Sequence, residues 1–229
     1  MVARMAAAVR EVVYPRRCAG CGARGSWVCD LCREDLELFA PPWCAGCGIP
    51  ARIGACRCTD LPVDVAAARS VGPFAGWLRG AIIAFKYDDE ADRSDHLAAL
   101  LAERVGDLAP RAMLVSVPLH PKRERQRGYN QSALIADGVA AGLGWPLLDP
   151  LCRTRATGQQ AKLDAAARQT NVAGAFALSP EFDPAQLSGE TVVLIDDVLT
   201  TGATLGACAG VLAAAGAGSI CIATLARDL

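Results

Sequence analysis

The apolar run Val192-Val193-Leu194-Ile195 leads directly into Asp196 and Asp197, then into Val198-Leu199-Thr200-Thr201-Gly202-Ala203-Thr204. Four branched apolar residues without alternation predict a strand buried on both faces, and such strands belong to parallel sheets covered by helices. Two carboxylates stand at the carboxyl end of that strand, a Thr/Gly loop follows, and Leu205 to Ala215 predicts a helix. Ligands of open α/β sheets bind where strands end and helices begin. A helix N-terminus with small hydroxyl residues suits a phosphate, because backbone N–H groups, hydroxyls and the positive end of the helix dipole converge there. Paired aspartates would repel that anion on contact, so they suit hydroxyls or a divalent cation beside it. A sugar phosphate with a metal satisfies both halves.

Residues Val192 to Thr204 resemble the 5-phosphoribosyl-1-pyrophosphate (PRPP) signature of the type I phosphoribosyltransferases. The resemblance implies that Asp196 and Asp197 hold the ribose 2- and 3-hydroxyls and act as the catalytic acids. It implies that Thr200, Thr201, Gly202, Ala203 and Thr204 hold the 5-phosphate.

Upstream, strands and helices alternate. Strands are predicted at Arg69–Phe74, Met113–Val117, Leu147–Leu151, Thr191–Ile195 and Ser219–Leu225. Helices are predicted at Trp77–Tyr87, Asp95–Val105, Gln131–Leu143 and Ala161–Gln169, the third ending at Gly142 and Gly144. Alternation implies right-handed crossovers and a mainly parallel sheet. The expected fold class is therefore α/β, a mainly parallel sheet of the type I phosphoribosyltransferase kind, with a small N-terminal cysteine-rich zinc-ribbon domain. A chain of 229 residues holds one medium domain and a small one. The expected division is 1–64 for an N-terminal helix and a double zinc ribbon, and 65–229 for the larger domain, with Asp60–Asp64 as linker. Hydrophobic residues at 52% and charged residues at 21% suit a folded, soluble chain. No apolar run approaches the roughly 18 residues of a membrane helix. Met1–Tyr14 predicts a short amphipathic helix docked on the body or a partner. Its apolar stretch, Met5–Val9, is shorter than the ~7–15 residues of a secretory signal core. The expected location is cytoplasmic, with membrane contact at most peripheral at the inner face.

Of the 11 cysteines, eight lie between Cys18 and Cys58. They form the pairs Cys18/Cys21, Cys29/Cys32, Cys44/Cys47 and Cys56/Cys58. Two residues between thiolates let both sulfurs converge on one tetrahedral zinc from a knuckle turn. A segment this small has too little core to fold alone, and a metal supplies the missing stability. A disulfide framework needs an oxidising compartment, and no export signal is evident. Four protein ligands make such a zinc structural. Cys56-Arg57-Cys58 is one residue short of a knuckle. Pairing in sequence and interleaved pairing (Cys18/Cys21 with Cys44/Cys47) both remain open. Cys152, Cys208 and Cys221 read as small buried hydrophobes.

A net charge of −1 gives no overall bias toward nucleic acid. Charge is local: between His120 and Asn171, eight basic residues face four acids. Lys122, Arg123, Arg125 and Arg127 form a basic loop between a strand and a helix, on the sheet edge expected for Asp196. Arg153, Arg155, Lys162 and Arg168 belong to a polar segment of the kind that makes a lid. Both clusters suit a pyrophosphate or another anion, and the candidates are Lys122, Arg123, Arg125, Arg127, Arg155 and Lys162. His120 stands beside the loop without an evident partner. His96 reads as a surface residue. Tyr129 and Trp145 offer stacking faces for single-stranded DNA.

Taken together, the cysteine pairs, Val117-Pro-Leu-His-Pro-Lys-Arg with Arg127-Gly-Tyr-Asn-Gln, the set Gln160, Leu163, Arg168, Asn171 and Ala175-Phe176, and the Asp196–Thr204 loop resemble the competence-protein ComF family. Lys86-Tyr87 also resembles a family motif, although acidic Asp88-Asp89-Glu90 follows where small or basic residues are usual. The resemblance implies a zinc ribbon (structural Zn²⁺) joined to a phosphoribosyltransferase-like domain that binds PRPP with Mg²⁺. It implies a role in DNA uptake during natural transformation, with single-stranded DNA and a DNA-uptake helicase as partners. Transfer of the phosphoribosyl group to an acceptor is one expected activity. A PRPP-regulated, non-catalytic single-stranded DNA-binding module is the other.

Overall fold

The computed structural model describes residues 15–87, 91–155, 172 and 174–229. The helices expected within Met1–Tyr14 and Ala161–Gln169 lie outside the described residues, as does Lys162.

A 5-stranded sheet forms the frame, in the order β1 (Ala67–Pro73), β7 (Ser219–Arg227), β6 (Thr191–Leu199), β2 (Met113–Ser116) and β3 (Leu147–Leu148). Every neighbouring pair in it is parallel. Val192 to Ile195 of β6 are wholly buried, as an unbroken branched run requires when helices cover both faces. Helices α2 (Gly76–Tyr87), α3 (Ser94–Val105) and α5 (Gln131–Leu143) share one apolar core with the sheet. Helix α6 (Ala203–Ala214) packs into a second core on Leu187, Val192 and Leu194.

Two local expectations are corrected. The stretch Leu147–Leu151 is not one strand. Leu147–Leu148 ends the main sheet, and β4 (Leu151–Arg153) pairs antiparallel with β5 (Phe176–Leu178), a strand absent from the expected set. Asp149-Pro150 makes the break, because proline has no N–H for a ladder bond. The basic segment after His120 is not a loop but helix α4 (Pro121–Arg127). His120 is its N-cap, with Nδ1 accepting from the Lys122 N–H at 3.1 Å. Proline occupies the first turn, and Gly128 closes the helix at φ +80°. These are ordinary start and stop signals for a helix.

The cysteine-rich segment, which includes α1 (Asp30–Glu34), is fastened to the larger body. Cys18 and Val28 lie in the same apolar core as Trp77 and Leu78. The Trp77 indole N–H donates to the Trp27 carbonyl at 3.0 Å. Arg93, 1% exposed, lays its guanidinium over the Trp27 ring at 4.3 Å and donates to the Arg17 carbonyl at 3.1 Å. Farther on, the Ala68 N–H donates to Gly46 O at 2.7 Å, and Arg227 donates to Cys47 O at 2.7 Å. The stretch Asp60–Asp64, expected as a linker, lies against α6. A Cβ on Gly202 would stand 3.4 Å from the Pro62 ring, and one on Gly206 3.0 Å. His96 is likewise not a plain surface residue: it is half-buried, edge-on to Trp77 at 5.8 Å.

Candidate functional site

Strand β6 runs on through Leu199, past the expected end at Ile195, so Asp196 and Asp197 are strand residues. Each reaches a different helix. Asp196 Oδ1 accepts from the Ser132 hydroxyl at the start of α5 at 2.7 Å, and from the Asp197 N–H at 2.9 Å. Asp197 Oδ1 pairs with Lys86 Nζ at the end of α2, at 2.7 Å. Burial and then the charge of Asp197 push the Asp196 carboxyl up to about 7, while Ser132, the Asp197 N–H and Lys86 pull it down. Near neutrality Asp196 therefore stands between its protonated and ionised forms.

Two cavities meet at these acids. One, about 770 Å³, is walled by Arg123 and Arg127 of α4, by Arg153 and by Asn130, Gln131 and Ser132. The other, about 310 Å³, is formed by Thr200 to Leu205 with Phe74, Ile82 and Ile83 opposite. Lys86, Tyr87, Asp196, Asp197 and Thr204 line both. The Thr/Gly loop ends at Gly202, φ +72°, which caps α6 with no side-chain hydrogen bond to the first turn. A helix start without a side-chain cap presents its N–H groups to an anion. A larger space of about 970 Å³ lies on the ribbon side of the same loop, between Arg57–Asp64 and Thr200–Ala207. Neither aspartate nor any arginine of α4 faces it, so it lacks the chemistry of the first two.

The structure brings Asp196, Asp197, Thr200, Thr201, Gly202, Ala203, Thr204, Arg123 and Arg127 together. It does not bring Lys122 and Arg125 to the cavities; both are exposed on the other face of α4. Residues four apart share a helix face, and Arg123 and Arg127 are such a pair. Arg155 is exposed beyond β4 and lines neither cavity. Tyr129 lines the arginine-walled cavity, with its ring on Phe85 at 5.7 Å and its hydroxyl donating to the Phe85 carbonyl. Trp145 packs against the core.

Three further residues join the site. Lys86, in the Lys86-Tyr87 motif, is the ion-pair partner of Asp197. Arg153 lines the cleft with its guanidinium over Phe176 at 5.1 Å, and β4–β5 pairing sets it there. Ser132 had a faint signal: Asn130 caps α5 by accepting from the Ser132 N–H at 3.1 Å, which sets where the helix begins.

The cysteines form two clusters, Cys18, Cys21, Cys29 and Cys32, and Cys44, Cys47, Cys56 and Cys58, with all sulfurs in each within 4.8 Å of one another. Pairing is therefore in sequence, not interleaved. Cys56 and Cys58 sulfurs still approach to 3.3 Å despite the short spacing. Tetrahedral bonds of ~2.3 Å put sulfurs roughly 3.8 Å apart, close to what is seen, whereas a disulfide needs about 2.05 Å. The Cys47 backbone N–H and the neighbouring sulfurs draw the Cys44 thiol down to about 6. The same cluster pushes Cys58 up to about 12, through hydrogen bonds with Cys56 and then Cys44. Four sulfurs converging in this way fit a tetrahedral divalent cation.

Comparison with known proteins agrees with this arrangement. The family model of the phosphoribosyl transferase domain matches residues 130–229, and that of the double zinc ribbon domain matches residues 9–61. The chain is 31% identical over 223 residues to the DNA utilization protein YhgH of Escherichia coli K12, covering 90% of this chain and 93% of the relative. It is 30% identical to competence protein F of Haemophilus influenzae, covering 87% and 90%. Among solved structures, the glutamine PRPP amidotransferase of B. subtilis overlaps 58% of this chain and 26% of its own, at 21% identity and a TM-score of 0.40. An α/β body with a parallel sheet, a ribbon of two four-cysteine clusters and full-length similarity to these relatives lead to one conclusion: the chain belongs to the ComF family of competence and DNA-utilization proteins.

Proposed function

We propose that the protein binds PRPP as its magnesium complex and transfers the phosphoribosyl group to an acceptor, releasing pyrophosphate, in the service of DNA utilization. One observation carries this reading: the acid pair stands where a helix-capped threonine loop and an arginine-walled cleft meet. PRPP is a pentose with a phosphate at one end and a pyrophosphate at the other. The loop Thr200–Thr204 receives the 5-phosphate on the α6 N-terminus. Asp196 and Asp197 accept hydrogen bonds from the ribose hydroxyls. Arg123 and Arg127, with Arg153, neutralise the departing pyrophosphate, which is the larger part of the barrier in a step that separates charge. The carboxylates also fit Mg²⁺, a hard cation that takes oxygen ligands and, when bound, screens phosphate charge. The ribbon holds structural Zn²⁺ and has no open position for chemistry.

A module that holds single-stranded DNA under PRPP control, without turnover, is the second reading. The exposed Lys122 and Arg125 on the outer face of α4 favour it. Titrating PRPP and Mg²⁺ in a calorimeter, then screening for pyrophosphate release, separates the two. Binding that disappears in Asp196→Asn with Asp197→Asn, together with pyrophosphate release on adding an acceptor, supports the transferase. Affinity unchanged by the double substitution defeats the assignment. PRPP binding without release, joined to DNA affinity that falls steeply with salt, supports the module.

A further inference from the structure

We propose that the cluster Cys44, Cys47, Cys56 and Cys58 is a peroxide-sensitive modification site, whose oxidation to a Cys44–Cys58 disulfide releases its zinc and frees the strap Cys58–Pro62 from the Thr200–Thr204 loop. The two clusters share a ligand type but not an environment. In the first, Cys18 belongs to an apolar core and Cys29 and Cys32 pack against it, which leaves Cys21 as its exposed member. In the second, Cys47 is buried, Cys44 is half-buried, and both Cys56 and Cys58 are exposed. Among the described residues, no cysteine of this second cluster belongs to either core. An accessible thiolate in an electropositive setting is the form that peroxide oxidises. Arg57 stands between the two exposed cysteines. The buried Arg227 lies behind them, donating to the carbonyls of Cys47 at 2.7 Å and of Arg57 at 3.4 Å. A transient disulfide of this sensing kind suits a reducing compartment, where a permanent one does not.

A resolving thiol stands within reach. The Cys44 sulfur is 3.4 Å from that of Cys58. The Cys56 and Cys58 sulfurs are as close, at 3.3 Å, but a disulfide across one intervening residue closes a small, strained ring. In the first step the Cys58 thiolate attacks one oxygen of the peroxide, the O–O bond breaks, Cys58 becomes a sulfenic acid and hydroxide leaves. The Cys44 thiolate then attacks that sulfur, the S–S bond forms, and the S–O bond breaks with release of a second hydroxide. Two thiolates lose two electrons, the peroxide gains them, and solvent protons turn both hydroxides into water. Cys47 and Cys56 remain, too few ligands for a structural zinc. Cys58 also opens the short turn Cys58–Asp60, which leads into Leu61 and Pro62. A Cβ on Gly202 would stand 3.4 Å from the Pro62 ring and 3.6 Å from the Asp60 carbonyl oxygen. Otherwise the cavity of about 970 Å³ separates the strap from the start of α6. The cluster is thus the anchor of the strap, and its loss loosens the support behind Gly202.

The full zinc-loaded chain, treated with hydrogen peroxide, provides the test. Zinc release is followed with a chromogenic chelator, disulfides by mass-spectrometric peptide mapping, and the loop by amide hydrogen exchange over residues 200–207. The expected result is one zinc ion leaving at least tenfold faster than the other, a Cys44–Cys58 disulfide appearing with it, and loop exchange rising threefold or more. Dithiothreitol with added zinc should reverse all three. Cys44→His keeps a zinc ligand and removes the resolving thiol, so it should lose its first zinc at least fivefold more slowly than wild type. Zinc ions leaving at one rate, a first disulfide among Cys18, Cys21, Cys29 and Cys32, or loop exchange unchanged in the one-zinc chain each overturn the proposal. So does Cys44→His releasing zinc as fast as wild type. If Cys44→His does not hold two zinc ions before treatment, the wild-type disulfide map and loop exchange decide. None of these readouts involves PRPP, so this site and the proposed function stand or fall separately.

Discussion

Asp196 carries an unusual charge burden for an aspartate. Its carboxyl is held at about 7 by burial and by Asp197, against Ser132 and Lys86. If the ribose hydroxyls bind the ionised form, PRPP affinity falls as pH drops below about 7, approaching tenfold per unit. Calorimetry between pH 5.5 and 8.5 checks this. Lys86→Met should move that midpoint upward, because it removes the cation that favours ionisation, and Lys86→Arg should move it less. Stability has the opposite sign. A folded-state pKa above the ordinary 3.8 means a relative stabilisation present below about pH 4 and lost as pH rises through about 7. Asp196→Asn removes that loss, so it should be more stable than wild type at pH 8 by on the order of 1–2 kcal/mol after solvent screening. The gap should close toward pH 4 in urea unfolding. An equal gap at both pH values would contradict the assignment of the shift.

Helix α4 turns a run of four cations into two kinds. Arg123 and Arg127 face the cleft, and Lys122 and Arg125 face solvent. Arg123→Ala should weaken PRPP binding about tenfold, a loss of about 1.4 kcal/mol, while Arg125→Ala changes it less than twofold; calorimetry on the two variants tests the helical sorting. Gly202 is the corresponding sensitive point of the Thr200–Thr204 loop. At φ +72° and against Pro62, a side chain there is strained. Gly202→Ala should cost about 1 kcal/mol or more in urea unfolding and weaken PRPP binding with it.

Body and ribbon share buried contacts rather than a flexible tether. Arg93 is buried between Trp27 and the Arg17 carbonyl, and Pro62 presses on the start of α6. Elemental analysis should find two zinc ions per chain. Their removal by a chelator should lower the melting temperature and weaken PRPP binding, although no zinc ligand lines the two cavities at the acid pair. Arg93→Ala should lose about 2–3 kcal/mol of stability and release zinc faster to a chromogenic chelator. Intact PRPP binding after complete zinc loss would show that body and ribbon are energetically separate.

Much of this protein is local in origin. Val192–Ile195 and the Thr/Gly loop declare a buried strand and a helix start, because burial pattern and turn chemistry act over a few residues, although the strand runs on past the Asp196-Asp197 pair to Leu199. Cysteine spacing likewise declares a metal ribbon. Other features depend on contacts between segments far apart in the chain. Lys86 meets Asp197 across 111 residues, and no periodicity encodes a pairing of that range. Cysteine pairing in sequence, the turning of Arg125 away from the cleft while Arg123 enters it, and the placing of Tyr87 at the junction of two cavities depend on how helices lie on the sheet. Packing of whole elements sets those positions, because the energy of a contact depends on where its partner lies in space and not on its distance along the chain.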